Sequence, residues 1–209
     1  MVGNQSILER KLDYYENQGM NNFIFCTGYK GDAIEKKIND LGINGEFSNI
    51  GDNAGILERV YAVKDSFSSP TIISYGDTYA EIDMVDLLKQ HNKSNTLLTL
   101  VTAPIENPFG IINIDKNNKV ISFKEKPVLN HYIGYGIMHP EIFNIIPSDI
   151  ITSPDGVGMV KTINFLSNLG QVNAYLYEGL QVTVNTNEDL ENANKKIGKY
   201  YTVRDSYEK

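Results

Sequence analysis

A chain of 209 residues is long enough for one core-forming domain, and its single cysteine, Cys26, excludes an internal disulfide framework. A net charge of −7 argues against a general nucleic-acid or membrane-surface binder, while 41% hydrophobic and 22% charged residues suit a globular protein with a proper core. No apolar run reaches membrane-spanning length, and Met1–Gln5 has neither the basic start nor the apolar stretch of a signal peptide, so a reducing cytoplasm is the expected compartment. Cys26 falls in an apolar run and reads as an inert, buried thiol.

Taken in order, Ser6 and Glu9 form a capping box for a first helix with Ile7, Leu8, Leu12 and Tyr15 on one face, stopped at Gly19. Asn22–Thr27 reads as a strand, Gly28–Gly31 as a loop, and Asp32–Asp40 as a helix with Ile34 and Ile38 inward. A short strand at Gly45–Ile50 precedes a Gly-rich loop, Gly51–Gly55, and a helix carrying Leu57, Val60, Tyr61 and Val63. A central, buried strand is expected at Thr71–Tyr75 and a helix at Asp83–His91; this alternation means a parallel sheet covered on both faces. Thr96–Thr102 is a further buried strand. Phe109–Ile114 and Val120–Lys124 are the arms of a hairpin around Asp115–Asn118. Tyr132–Met138 is a strand, Pro140–Ile146 a short helix, and Ile151–Gly158 a loop. A helix at Lys161–Leu169, strands at Gln171–Tyr177 and Gln181–Val184, and a helix from Asp189 to about Tyr200 complete the chain. Residues 1–200 form a single domain in this reading, and 201–209 a frayed polar tail.

The stretch Pro70–Asp83 organises the rest. Its strand ends at Gly76-Asp77, and a carboxylate at the carboxyl end of a parallel strand points into the crevice where α/β proteins bind ligands. Gly76 lets a ligand approach the backbone, and Asp77 is well placed to hold Mg²⁺ between triphosphate oxygens; an ordinary Gly-Asp turn is the plainer reading. Elsewhere the familiar signatures are missing: there is no G-x-x-x-x-G-K-[ST], H-E-x-x-H or G-x-S-x-G. Gly134-Tyr-Gly136 lacks the third glycine of a dinucleotide fingerprint. His91, His131 and His139 lack ligand spacing and read as surface or helix-end residues.

Eight motifs in order give the chain a family likeness: Val2–Glu9, Asn22–Gly31, Asn53–Val60, Tyr75–Asp77, Phe109-Gly110, Phe123–Pro127, Ile133–Ile137 and Asn185–Leu190. Together they resemble the sugar-1-phosphate nucleotidyltransferases, nearest the glucose-1-phosphate cytidylyltransferase branch, over residues 2–200. The resemblance implies a three-layer, Rossmann-like α/β fold of the glycosyltransferase A type, with a mostly parallel sheet and a small β-hairpin appendage. It implies transfer of a nucleotidyl group from an NTP, CTP favoured, to a sugar 1-phosphate or similar phosphomonoester with release of pyrophosphate. By the same resemblance Asp77 would be the ligand of Mg²⁺, and Ala54 and Gly55 would line the base and ribose side of the NTP site. Glu125, Lys126, Gly134 and Tyr135 would face the phosphate-bearing acceptor, with Lys126 pairing with its phosphate. Tyr29 and Lys30 would lie in a loop near the crevice. A phosphocholine-like acceptor is an alternative to a sugar, since Tyr29, Phe109, Tyr132 and Tyr135 could face a cationic head group; as plain strand or core residues they need no such role.

Two departures qualify the likeness. Family members begin with a strand and a glycine-rich, Arg- and Lys-bearing loop ahead of the segment that matches Met1-Val2, a piece of roughly 20–25 residues. Without it, the strands at Phe23–Thr27 and Thr71–Tyr75 are expected to show unpaired edges, and the chain to have little or no transferase activity. Secondly, the branch carries an Asp before the Thr that opens the last helix, where this chain has Asn185; an amide oxygen can still ligate Mg²⁺, but more weakly. A catalytically inactive relative that keeps a nucleotide or sugar-phosphate site is the competing reading. A glycosyltransferase is a third, but Asp77-Thr-Tyr79 is not its D-x-D motif. No nucleic-acid or membrane partner is expected, and an open sheet edge would offer a surface for a homo-oligomer.

Overall fold

The computed structural model describes residues 5–207; the start of the first motif, residues 2–4, and the signal-peptide reading of the opening residues lie outside them. Helix α1 (Ile7–Glu16) begins at the expected capping box: the Glu9 amide donates to Ser6 Oγ at 3.2 Å and the Ser6 amide to Glu9 Oε2 at 2.6 Å. Lys37 on α2 (Gly31–Asp40) pairs with the same carboxylate at 2.8 Å, which ties the two helices together. Between them lies β1 (Phe23–Thr27), and after α2 comes β2 (Gly45–Asn49), parallel to β1.

Helix α3 (Ile56–Ala62) and a short 3₁₀ turn (Lys64–Ser66) lead to β3 (Thr71–Ser74) and β4 (Thr78–Ala80). Then follow α4 (Met84–Ser94), capped by Asp83, β5 (Leu98–Glu106), the hairpin β6 (Ile111–Ile114) and β7 (Val120–Lys124), and the long β8 (Val128–Met138). The chain closes with α5 (Ile142–Ile145), α6 (Ser148–Ile151), α7 (Val157–Asn168), β9 (Val172–Leu176), β10 (Gln181–Thr183) and α8 (Asn187–Tyr207).

The main sheet has the order β3-β8-β5-β9. Alternate residues of β5 and β8 face two different cores: Val101, Ala103, Tyr135 and Ile137 pack with α1, α2 and α4, whereas Leu98, Leu100 and Met138 pack with α3 and α5–α7. Helices therefore cover both faces, as in a three-layer α/β fold. A third core joins β4 and β10 to α8 through Tyr79, Val182, Ala193 and Ile197.

The α/β class and the hairpin appendage follow the sequence reading, with differences in detail. The ladders are mixed: β1–β2 and β5–β9 are parallel, while β3–β8 and β5–β8 are antiparallel. β3 is an edge of its sheet and only half-buried, where a buried central strand is the sequence expectation. β1 pairs with β2 and β3 with β8, so the sheet does not close between β1 and β3. The short strand β4 directly follows the Gly76-Asp77 turn and escapes a periodicity reading. α7 begins at Val157, inside the segment expected as loop, and α8 continues through Tyr207, across the expected frayed tail. His91 lies in the last turn of α4, a helix-end position as expected, and is buried there with its Nδ1 2.8 Å from Thr99 Oγ1.

Candidate active site

An open groove of about 1600 Å³ separates the unpaired edges of β1 and β3, with Lys11, Leu12 and Tyr15 of α1 along it and Gly76 and Asp77 among its lining. Asp77 is solvent-exposed, so its carboxylate is free to meet a ligand from the groove. Its position is set by three neighbours. The β4–β10 ladder pairs Thr78 with Thr183, and beyond it the Val184 amide donates to the Asp77 carbonyl at 2.9 Å. Thr78 Oγ1 donates to Asp77 Oδ1 at 3.2 Å and lies 3.1 Å from Thr183 Oγ1. Asn185, the other expected metal ligand, is thus brought to the same corner. Its side chain is exposed, and its amide donates to Asp189 Oδ2 at 3.0 Å in the turn that opens α8.

Beneath Asp77 lies a cation that the sequence reading did not single out. Lys11 is 4% exposed. Its Nζ donates to the Thr78 carbonyl at 2.9 Å and to the Tyr75 carbonyl, so it clasps the chain on both sides of Gly76-Asp77. It also stands 4.5 Å from the Tyr135 ring centroid, a cation–π contact. Burial pushes the Lys11 ammonium down to about 7, with the Asp77 charge acting the other way. A signal was present in the sequence: Lys11 sits four residues after Ile7 and four before Tyr15, a cation on an otherwise apolar helical stripe.

Tyr135, expected to face an acceptor, is wholly buried. Its hydroxyl donates to the Thr78 carbonyl at 2.9 Å and accepts from the Ala80 amide at 3.2 Å, which fastens β4 to the core. Gly134 lies beside the Gly76 turn: its carbonyl accepts from the Tyr75 amide at 2.9 Å. Its φ of +77° and the Tyr75 ring 3.0 Å from any added Cβ both call for glycine.

The other expected site residues stand apart. Gly55 is buried under the Ser153–Asp155 loop; an added Cβ would lie 2.3 Å from the Ser153 carbonyl oxygen, and the Ile56 amide donates to the Asp155 carbonyl at 3.0 Å. Ala54, just before it, is half-buried. Glu125 and Lys126 are exposed in the turn between β7 and β8, Lys126 at φ +37°. Neither Ala54, Gly55 nor Lys126 lines the groove that holds Asp77. Tyr29 is exposed, with Lys30 Nζ 5.3 Å from its ring centroid, and they too lie outside the groove lining.

A second cation, Arg59 of α3, does line the groove. Its guanidinium donates to the carbonyls of Thr27, Gly51 and Asp52, the latter two at 2.8 and 3.3 Å, and so fastens the Gly-rich loop to the end of β1. Cys26, half-buried nearby, donates to the Arg59 carbonyl at 3.7 Å, and burial raises its thiol pKa, as befits an inert cysteine.

The sequence model of the nucleotidyl transferase family matches residues 1–198. The chain belongs to that family. It is 24% identical over 221 residues to a probable glucose-1-phosphate cytidylyltransferase of Bacillus subtilis (strain 168), covering 93% of this chain and 85% of the relative. It is 26% identical over 224 residues to the glucose-1-phosphate cytidylyltransferase of Salmonella typhimurium, covering 90% and 82%. Among solved structures, HddC from Yersinia pseudotuberculosis complexed with GMP-PN superposes with a TM-score of 0.70 at 20% identity, covering 94% of this chain and 88% of that one. The nucleotidyltransferase fold is therefore shared. No helix among the described residues is long and apolar enough to cross a membrane.

The donors at Asp77 are oxygen atoms, which suit a hard divalent cation. No cluster of three or more His, Cys, Asp or Glu that could hold a metal occurs among the described residues, which speaks against a closed protein cage. One exposed carboxylate, with an amide side chain on the adjoining strand end, fits a Mg²⁺ that would keep several waters and complete its shell with substrate phosphates.

Proposed function

We propose that this chain is a sugar-1-phosphate nucleotidyltransferase that uses an NTP, CTP by preference, and releases pyrophosphate. The observation that carries this reading is the exposed Asp77 carboxylate at the mouth of the β1–β3 groove, with Asn185 aligned beside it by the β4–β10 ladder. The family membership and the two cytidylyltransferase relatives support the substrate class.

In this reading a phosphate oxygen of the sugar 1-phosphate attacks the α-phosphorus of the nucleotide. The new P–O bond forms as the bond to the bridging oxygen of the β-phosphate breaks, and that oxygen leaves with pyrophosphate. Bound Mg²⁺ would supply charge neutralisation on the phosphates, held by Asp77 and Asn185. The chain's own contribution is positional: Val184 bonds the Asp77 carbonyl, and Lys11 and Tyr135 hold the flanking carbonyls of Tyr75 and Thr78. Among the described residues, both cations that line the groove, Lys11 and Arg59, are engaged by backbone carbonyls, which leaves little of their charge for the triphosphate. Turnover is accordingly expected to be slow, and nucleotide binding without turnover is the second reading that this arrangement favours. Pyrophosphate release measured against a panel of NTPs with glucose 1-phosphate tests the first; Mg²⁺-dependent CTP binding without pyrophosphate release would select the second.

A further inference from the structure

The Asp77 carboxylate is held by a hydroxyl, and that hydroxyl is held in turn. β4 and β10 run antiparallel, with Thr78 directly opposite Thr183. The Val184 amide bonds the Asp77 carbonyl at 2.9 Å, which makes those two the hydrogen-bonded pair at the end of the ladder. Thr78 and Thr183 are therefore a pair without ladder bonds between them, the kind whose side chains stand closest. Their hydroxyl oxygens lie 3.1 Å apart, and Thr78 Oγ1 lies 3.2 Å from Asp77 Oδ1. Each hydroxyl has a single proton to give, and an ionised carboxylate only accepts. The Thr78 proton goes to Asp77, so Thr183 must donate to Thr78. Hydrogen bonds in such a chain polarise one another, so the Thr183 hydroxyl strengthens the hold of Thr78 on the carboxylate.

We infer that Thr183 is a positioning residue for Asp77, an inference that rests on Asp77 being a metal ligand. Acting through Thr78, it keeps Oδ1 turned to the strand and so leaves the second carboxylate oxygen for a divalent cation. Burial explains why Thr183 matters although it does not touch the ion. Thr78 is 3% exposed, whereas Thr183 is exposed. Water replaces a lost partner poorly at the buried hydroxyl, so without Thr183 the Thr78 oxygen lacks a donor and the rotamer that reaches Asp77 loses its support. Thr183 and Asn185 stand two residues apart and thus serve the same corner by different routes: Asn185 would meet the ion, and Thr183 orients the carboxylate that meets it.

The test is the Mn²⁺ affinity of the full chain, read by electron paramagnetic resonance of the free ion, with hydrogen exchange of the Val184 amide on the same proteins. Valine keeps the β-branched shape of threonine and removes the hydroxyl. Thr183→Val is expected to bind Mn²⁺ roughly three- to tenfold more weakly, the worth of one hydrogen bond. Thr183→Ser, which keeps the hydroxyl, is expected to bind like the wild type. In a Thr78→Val background Thr183→Val is expected to change nothing further, because the relay is already cut. Val184 exchange is expected to be equal in the wild type and Thr183→Val, since the backbone ladder is untouched. Wild-type affinity in Thr183→Val, while Asp77→Asn binds weakly, would overturn the assignment and leave the metal reading standing. Unchanged affinity in Asp77→Asn would overturn both. A loss that persists in the Thr78→Val background would mean that Thr183 meets the ion itself, and a loss that serine does not restore, or faster Val184 exchange, would mean that it only supports the strand; each overturns the assignment. If Thr78→Val fails to fold, the serine variant and the exchange measurement decide.

Discussion

The Val184 amide donates to the Asp77 carbonyl at 2.9 Å. That bond joins the end of β10 to the turn before β4, and so brings Asp77 and Asn185, 108 positions apart in the sequence, to one corner of the groove. If the two share a metal, restoring the second charge should strengthen it. Asn185→Asp is expected to tighten Mn²⁺ binding about tenfold, as ligand charge count does in hard-cation sites. Electron paramagnetic resonance of free Mn²⁺ during titration measures this. Unchanged affinity would mean that Asn185 points away from the ion.

Lys11 makes the stability of the fold depend on pH. Its folded pKa is depressed to about 7 from an ordinary 10.5. Between those values the unfolded chain binds the extra proton, so stability rises with pH across that window; below it the cost of burying the charge is paid in full. Denaturant unfolding is expected to show a gain on the order of 2–4 kcal/mol from pH 7 to 10, after which buried tyrosines such as Tyr15 and Tyr135, whose folded pKa values are raised, reverse the trend. Lys11→Met is expected to remove the gain below pH 10.

Gly55 serves packing in this structure. Gly55→Ala would push a methyl to 2.3 Å from the Ser153 carbonyl oxygen, so the Ser153–Asp155 loop must move. A loss of roughly 1–3 kcal/mol in unfolding free energy is expected. A variant of full stability that loses nucleotide binding would restore Gly55 to the ligand site.

Tyr135→Phe removes the hydroxyl that bonds both Thr78 and Ala80. The Ala80 amide is left without its partner in the core, so a cost of about 1–3 kcal/mol is expected. Because Thr78 follows Asp77, Mn²⁺ affinity should fall as well, while the KM for the sugar phosphate should not change. A raised KM with full stability would mean that Tyr135 reaches the acceptor.

Much of this was readable from residue patterns, for reasons that vary by element. The Ser6–Glu9 capping box, the Asp83 cap and the Gly19 stop are local chemistry, and α1 and α4 start where these signals place them. The strand segments were visible as β-branched, apolar runs, but their neighbours were not: periodicity does not tell an edge strand from a central one, and β3 is an edge. β4 is three residues long, too short to show alternation. At the site, Asp77 could be located in the chain as the carboxylate that follows the Thr71–Tyr75 run and Gly76, while an ordinary Gly-Asp turn was the plainer reading. Gly55 and Lys126 could be placed in the chain but not in space, since the Ser153–Asp155 loop that covers Gly55 lies about a hundred residues downstream. The burial of Tyr135 was not legible because a strand aromatic can face either way, and only the fold decides which.

The most direct test of the central claim is isothermal titration of CTP into the chain with and without Mg²⁺, repeated on Asp77→Asn. Asp77 is exposed and its backbone bonds remain in the variant, so folding should be unaffected. The account predicts Mg²⁺-dependent binding that Asp77→Asn weakens by at least about tenfold. Binding of equal strength in the two proteins, or binding indifferent to Mg²⁺, would contradict it.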